Sequence, residues 1–180
     1  MTNQNFRQAG FFFAAIGLSV LLSGCPYSSP YRLDNEPETF IDKDLLGKWA
    51  TLAETKKGMQ PVKLVLTEKN DKEYNLAILG YIDDLKPYVY MTGDSIKGTA
   101  FISMIKNASF LNIVISGQTY ISKLIYLENK LSILPLAERF TAKYIKSGEQ
   151  LRKAVEFHFD TRLRPIYDQS FCLKDMVRVN

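Results

Sequence analysis

The stretch IKGTAFISMIKNASFLNIVISGQTYISKLIYL, residues 96–127, has the pattern of three consecutive β-strands. Aliphatic, aromatic and β-branched residues dominate it, and turn-forming residues interrupt it at Asn107-Ala108 and at Gly117-Gln118. Hydrophobic runs of this length separated by short polar breaks are typical of antiparallel hairpins. The predicted strands are 96–105, 109–116 and 119–127.

Similar short segments continue on both sides of this stretch. In PVKLVLTE, for example, Val62, Leu64 and Leu66 alternate with other residues and therefore share one face of a strand. Strands at a spacing of about 8–12 residues with turn residues between them are typical of all-β proteins. The further predicted strands are 45–54, 61–68, 73–80, 87–93, 131–134 and 170–179.

The pattern changes to a helical period after residue 134. Residues 135–146 are compatible with a short helix, and residues 147–159 fit a helix better. Ser147 and Gln150 have the spacing of a capping box. The apolar side of the second helix follows the i, i+3, i+4, i+7 spacing. Its members are Leu151, Ala154, Val155 and His158.

The order of eight strands, a helix and a final strand resembles that of the lipocalins. Gly47-Lys48-Trp49 on the first strand is similar to the Gly-x-Trp signature of that family. The resemblance implies that Trp49 plugs the closed end of an eight-stranded barrel and that Arg178, near the chain end, packs over it. The second lipocalin motif, Thr-Asp-Tyr, is missing, and GQTY at 117–120 is at best a remnant of it.

We therefore predict a mainly β fold: a lipocalin-like antiparallel barrel or curved meander sheet, followed by a C-terminal helix and a final strand. The alternative is an open antiparallel sheet covered by the helix. LLGKW at 45–49 also resembles the start of the folded part in small bacterial lipoproteins of unknown function, which have a similar strand-rich body and late helix.

The N-terminus has the features of an export signal. A block of apolar residues without ionisable side chains covers 11–22, after a first segment in which Arg7 is the only charged side chain. Such a block is too short for a membrane-spanning helix, which needs about 20 residues, and fits the h-region of a signal peptide. Leu22-Ser23-Gly24-Cys25 then resembles the bacterial lipobox.

The lipobox resemblance implies that residues 1–24 are a signal peptide that is removed. Cys25 would then carry a diacylglycerol on its thiol and an acyl chain on its new amine, and these chains would anchor the protein to a membrane. Pro26 follows Cys25 in place of the Asp that acts as a retention signal in enterobacterial lipoproteins. We therefore expect a cell-envelope protein, in the outer membrane if the host has two membranes.

The residues after the cysteine divide into a linker and a folded part. Residues 25–42 contain three prolines and no hydrophobic period, so we predict a flexible tether there. Residues 43–180 form the predicted β-rich domain. Removal of residues 1–24 takes one basic residue, Arg7, and lowers the net charge from +4 to +3. This mild, mixed charge is unlike that of nucleic-acid-binding proteins.

The chemistry-bearing residues do not form a catalytic pattern. The single histidine, His158, lies between Phe157 and Phe159, as expected of a packing residue near a helix end. Asp83-Asp84 fits a solvated turn, although two carboxylates could also bind a cation or exchange protons. Cys172 fits a buried thiol, and a lipidated Cys25 would leave it without a disulfide partner. We expect no enzyme activity, no metal and no cofactor besides the lipid on Cys25.

Aromatic residues provide the candidate ligand site. Tyr88 and Tyr90 share one face of a predicted short strand, and with Trp49 they could line a pocket inside a barrel. Equally, the tyrosines could be ordinary half-buried strand residues. The predicted function is a membrane-anchored binding module for a small apolar ligand or lipid. The alternatives are a structural or assembly partner of another envelope protein and an envelope hydrolase, for which paired titratable groups are lacking.

Overall fold

The computed structural model describes residues 26–51, 62–80, 95–137, 145–161, 167–168 and 171–180, and most of them belong to one antiparallel sheet. A 3-10 helix at Lys43–Leu45 precedes the long run of strands, and the helix α1 spans Gly148–Thr161. The strands are β1 Ser28–Ser29, β2 Gly47–Ala50, β3 Lys63–Glu68, β4 Tyr74–Leu79, β5 Ser95–Ile105, β6 Ala108–Ile115, β7 Gln118–Leu127, β8 Lys130–Pro135 and β9 Leu173–Val179.

Strands β2 to β9 form a closed eight-stranded barrel. Each strand pairs antiparallel with the next along the chain, and β9 pairs with β2 to close the ring, with Trp49 opposite Arg178. The barrel prediction is confirmed, and the open-sheet alternative is wrong. The strand that closes the barrel follows α1. The strand predicted at 87–93 lies outside the described residues, and β4 pairs directly with β5.

The two ends of the barrel differ in the length of their connections. At the end where β2 begins, here called the Trp49 end, residues 106–107 and 128–129 form two-residue turns, and residues 69–73 connect β3 to β4. At the opposite end, residues 51–62 connect β2 to β3 and residues 80–94 connect β4 to β5. The connection that contains α1 also starts and finishes there. Long segments are thus concentrated at one end.

The tight turns have the backbone conformation that short hairpins need. Glu128 and Asn129 have φ values of 51° and 60°, and Ser116 and Gly117 have values of 50° and 80°. Positive φ at both central residues is the mark of a type I′ turn, whose twist matches that of the flanking strands. These turns fix the register of β6, β7 and β8 and therefore decide which side chains point into the barrel.

Helix α1 covers the outer surface of the barrel on one side. Ser147 caps it by accepting a hydrogen bond from the backbone N–H of Gln150 at 3.2 Å, so the predicted helix is confirmed. Leu151 and Val155 are fully buried against outward side chains of β5, β6 and β7. The outward residues in this cluster are Ile105, Ala108, Phe110 and Ile121.

The helix predicted at 135–146 does not begin where it was expected. Pro135 is the last residue of β8, and the two residues after it form isolated bridges, Leu136 with Tyr167 and Ala137 with Pro26. Strand pairing takes precedence here because the backbone N–H of Leu136 donates to the carbonyl of Ile121. Residues 138–144 lie outside the described residues.

The segment predicted as a flexible tether is packed against the barrel over much of its length. Ser28 and Ser29 form β1, which pairs with Tyr120 and Thr119 of β7, and Leu33 is 3% exposed. The tether prediction is therefore wrong for the described part of 25–42. We call residues 26–35 the strap. It lies beside α1, where a Cβ added to Gly148 would come within 2.7 Å of the Arg32 carbonyl oxygen.

A buried asparagine on the outer face of β6 holds the strap in place. The Oδ1 of Asn112 accepts a hydrogen bond from the Leu33 backbone N–H at 2.8 Å, and its Nδ2 donates to Ser103 Oγ at 2.7 Å. Arg152 of α1 adds an ion pair with Asp34. The strap and the barrel thus satisfy each other's buried polar groups, which explains why a proline-rich segment without hydrophobic periodicity is ordered.

Replacing this asparagine should release the strap. Asn112→Ala leaves the Leu33 N–H and the Ser103 hydroxyl without their partner, so we expect the free energy of unfolding to fall by about 2–3 kcal/mol. Amide hydrogen exchange in residues 27–35 should accelerate more than exchange in β3 and β4. Asn75→Ala, on the exposed face of β4, is the matched control and should cost less than about 0.5 kcal/mol. Equal losses in both variants would contradict the role of Asn112.

Candidate ligand-binding barrel

Trp49 closes one end of the barrel interior. Its side chain is fully buried, and its indole Nε1 donates a hydrogen bond to the Leu45 carbonyl at 2.9 Å. The Arg178 guanidinium lies over the ring, 4.7 Å from its centroid, and Tyr126 meets it edge-on at 5.9 Å. The position expected for Arg178 from the lipocalin resemblance is confirmed. These contacts make the Trp49 end a sealed floor.

The contacts around Trp49 explain why the first residue of the Gly-x-Trp pattern is a glycine. Gly47 has a φ of 129°, which residues with a Cβ rarely adopt. A Cβ added there would lie 3.1 Å from Nη1 of Arg178, which donates to the carbonyl of Leu46 at 2.8 Å. The absence of a Cβ at Gly47 leaves room for the guanidinium that covers Trp49.

A buried tyrosine secures the 3-10 helix beneath the floor. The hydroxyl oxygen of Tyr74 accepts a hydrogen bond from the Asp42 backbone N–H at 2.6 Å and donates to the Asp42 carbonyl at 3.3 Å. Burial is the main cause that raises the pKa of Tyr74 to about 12, so the hydroxyl stays protonated. Leu45, in the same 3-10 helix, is 2% exposed and fills the space next to Trp49.

The inward wall above this floor is almost entirely aliphatic. It includes Leu64, Leu66, Leu76, Ile96, Ile102, Leu111, Ile113, Ile115, Leu124, Leu131, Ile133 and Met176, all of them buried. Alternation along the strands places these residues inside because each strand exposes every second side chain to the barrel axis. Such a wall can only offer dispersion and hydrophobic contacts, which suits an apolar ligand or a packed core.

Ser122 is the polar exception in the middle of β7. It is fully buried between the inward residues Tyr120 and Leu124, and its Oγ has no hydrogen-bond partner within the described part of the chain. A buried hydroxyl without a partner costs about 1–3 kcal/mol. The sequence could have indicated this position, because TYISKLIYL alternates and Ser122 shares a face with Tyr120, Leu124 and Tyr126.

Three partly buried side chains mark the rim of the barrel at the end opposite Trp49. Ile78, Tyr120 and Leu173 pack against the inner cluster but are only partly buried. Burial raises the pKa of the Tyr120 hydroxyl. The connection 80–94 leaves β4 and enters β5 at this rim. Tyr88 and Tyr90 belong to that connection and lie outside the described residues.

The remaining predicted site residues are distributed as follows. Cys25 and Asp83-Asp84 lie outside the described residues. His158 is on α1, with its ring edge-on to that of Phe157 at 5.7 Å. The half-buried thiol of Cys172 donates to the Asp168 carbonyl at 3.0 Å, and burial is the main cause that raises its pKa.

The described ranges contain neither a group of candidate metal ligands nor a helix suited to span a membrane. Among the residues with described positions, no three His, Cys, Asp or Glu side chains are grouped as metal ligands would be. No helix in the same ranges combines the length and apolar character needed to cross a membrane. No protein-family model, no curated protein and no solved structure matches this sequence.

Two serine variants distinguish an unpartnered hydroxyl inside the barrel from a hydrogen-bonded hydroxyl on its outer face. Ser122→Ala removes an unpartnered buried hydroxyl, so we expect the free energy of unfolding to rise by about 1 kcal/mol. Ser103→Ala removes the hydroxyl that accepts from Asn112 Nδ2, so we expect a loss of about 1 kcal/mol. Urea denaturation monitored by circular dichroism measures both. A loss in Ser122→Ala as large as that in Ser103→Ala would show that Ser122 has a partner.

Proposed function

We propose that this protein is a lipid-anchored component of a bacterial cell envelope whose barrel binds a small apolar ligand or lipid. The observation that carries the proposal is the asymmetry of the barrel. One end is sealed by Trp49, Leu45 and Arg178, and the long connections leave from the other end, above an aliphatic wall. A ligand would enter at the rim formed by Ile78, Tyr120 and Leu173.

The chemistry of the interior defines the ligand class. The inward side chains of the barrel core are aliphatic or aromatic apart from Ser122, and none of its described members is charged. A charged or strongly polar ligand would lose its hydration without gaining partners, at a cost of several kcal/mol. An apolar chain would gain about 25 cal/mol for each Å² of apolar surface removed from water. Tyr88 and Tyr90 are the candidate aromatic contacts in the 80–94 connection.

The anchor is proposed from the sequence pattern at Leu22–Cys25. Acylation of Cys25 would keep the barrel at a membrane, where apolar ligands are concentrated. Two acyl chains suffice for stable attachment, whereas one gives only marginal binding. The proposed localisation is the cell envelope, and the outer membrane where the host has two.

Native mass spectrometry tests ligand binding directly. The sample is the chain from residue 25 onward with Cys25→Ser, which retains every residue of the described fold. We expect a persistent small-molecule adduct, or a lipid in the organic extract. Ile78→Trp should narrow the rim and weaken binding of the extracted molecule by at least about tenfold, which corresponds to about 1.4 kcal/mol.

The matched control is Ala77→Trp, because Ala77 is the neighbour of Ile78 and points away from the barrel interior. It should leave the adduct unchanged. Absence of an adduct together with no binding of added fatty acids or phospholipids would refute the ligand proposal. A co-purifying protein in place of a small molecule would favour the assembly-partner alternative.

A further inference from the structure

The strap brings the predicted anchor directly to the side of the barrel. Pro26 is buried and bridges to Ala137, and the Tyr27 backbone N–H donates to the Leu136 carbonyl at 2.7 Å. Cys25 is the residue immediately before Pro26, and neighbouring Cα atoms are about 3.8 Å apart. An acylated Cys25 could therefore not hold the barrel away from the bilayer, as an extended 17-residue tether would.

The strap joins the barrel along the strand that also carries an exposed apolar surface. β1 pairs with the first part of β7, at Thr119 and Tyr120. Farther along β7, Ile125 is 37% exposed and Leu127 is 67% exposed, and both point outward. Beyond the strap, the outward side chains of β7 and β8 form what we call the anchor face: Lys123, Ile125, Leu127, Lys130, Ser132 and Leu134.

The anchor face has the composition of a membrane-contacting surface. Its apolar members are interleaved with Lys123, Lys130 and Ser132, and the acidic Glu128 adjoins it in the β7–β8 turn. Register places Lys123 opposite Leu134 and Lys130 opposite Leu127. The Lys123 ammonium lies over the Phe159 ring of α1, 5.2 Å from its centroid. Lysines near an anionic bilayer contribute about 1 kcal/mol each, and aliphatic side chains can enter the interfacial region.

Two tyrosines near the predicted anchor also favour contact with a membrane. Tyr27 follows Pro26, and Tyr167 bridges to Leu136, so the two half-buried tyrosines lie on either side of one backbone segment. Tyrosine is enriched where proteins meet the membrane–water interface. The outward faces of β3 and β4 lie on the other side of the barrel. Among the described residues, no large apolar side chain is exposed on those two strands.

We propose that the anchor face lies against the surface of the membrane that holds the acyl chains of Cys25. The inference rests on the proposed lipid anchor, and it assigns the bilayer as the partner of the β7–β8 surface. The barrel then lies on its side, with the part of the rim at Tyr120 and Leu173 nearest to the lipid headgroups and Ile78 on the far side. An apolar ligand could pass between bilayer and barrel without crossing bulk water.

Fluorescence quenching by lipid headgroups tests this orientation. The full chain is expressed, exported and purified from membranes, and intact mass spectrometry establishes its acylation. In a Cys172→Ser background, a fluorophore is attached to Glu128→Cys or to Asp71→Cys. Both replaced residues are exposed acids in hairpin turns at the Trp49 end, one in the β7–β8 turn and the other in the β3–β4 turn.

We expect headgroup quenchers in vesicles with anionic lipid to quench the label at 128 at least twice as strongly as the label at 71. Twelve Gly/Ser residues inserted between Cys25 and Pro26 should reduce this difference, because a flexible linker of that length spans about 19 Å on average. Ile125→Glu should also reduce it, whereas Val65→Glu on the outward face of β3 should not.

The outcomes separate the two proposals. Equal quenching of the two labels in an acylated chain would overturn the orientation and leave the anchor intact. A mature chain without acyl mass would overturn the anchor and, with it, the orientation. Ligand binding by the barrel is measured separately by the native mass spectra, so its failure can be told apart from both results.

Discussion

The barrel closes where its first and last strands pair, and at that point the Arg178 guanidinium of β9 lies over the ring of Trp49 on β2. The two residues are direct neighbours across the strand pair, so the contact that seals the floor also joins the ends of the domain. Because α1 lies between β8 and β9 in the chain, this closure brings back to the barrel a strand that the helix separates from the others. The sealed floor, the aliphatic interior and the rim all depend on it.

The strap adds a second constraint from outside the barrel. The Leu33 backbone N–H of the strap donates to Asn112, which in turn donates to Ser103, and both side chains are buried on the outer face of the sheet. The ion pair between Asp34 and Arg152 connects the strap to α1. Replacing this buried asparagine leaves several polar groups unpaired at once, so its loss lowers the free energy of unfolding. The strap therefore makes the residues next to Cys25 part of the fold, and an anchor placed there would act on the whole barrel.

The sequence predicted most of the barrel because its information is local there. Alternation and turn residues gave the strands of residues 96–127, and the Gly-x-Trp resemblance placed Trp49 and Arg178 correctly. The strap could not be predicted, because its decisive hydrogen bond joins Leu33 to Asn112, which is 79 residues away in the chain. The start predicted for a helix at residue 135 was wrong for a similar reason. Residues 136 and 137 pair with Ile121, Pro26 and Tyr167, and this pairing overrides their local preference for a helix. Of the candidate ligand residues, Trp49 lies in the described barrel, and its contact with a ligand stays a prediction, as do those of Tyr88 and Tyr90.

We infer that pairing of β2 with β9 makes the floor around Trp49 the most stable part of the molecule. Trp49 is the only tryptophan, so its indole N–H, bonded to the Leu45 carbonyl at 2.9 Å, gives a single nuclear magnetic resonance signal. Hydrogen exchange of this one proton measures the opening of the floor. We expect exchange only through global unfolding, with a free energy equal to that from urea denaturation. Exchange through a local opening of much lower free energy would contradict it.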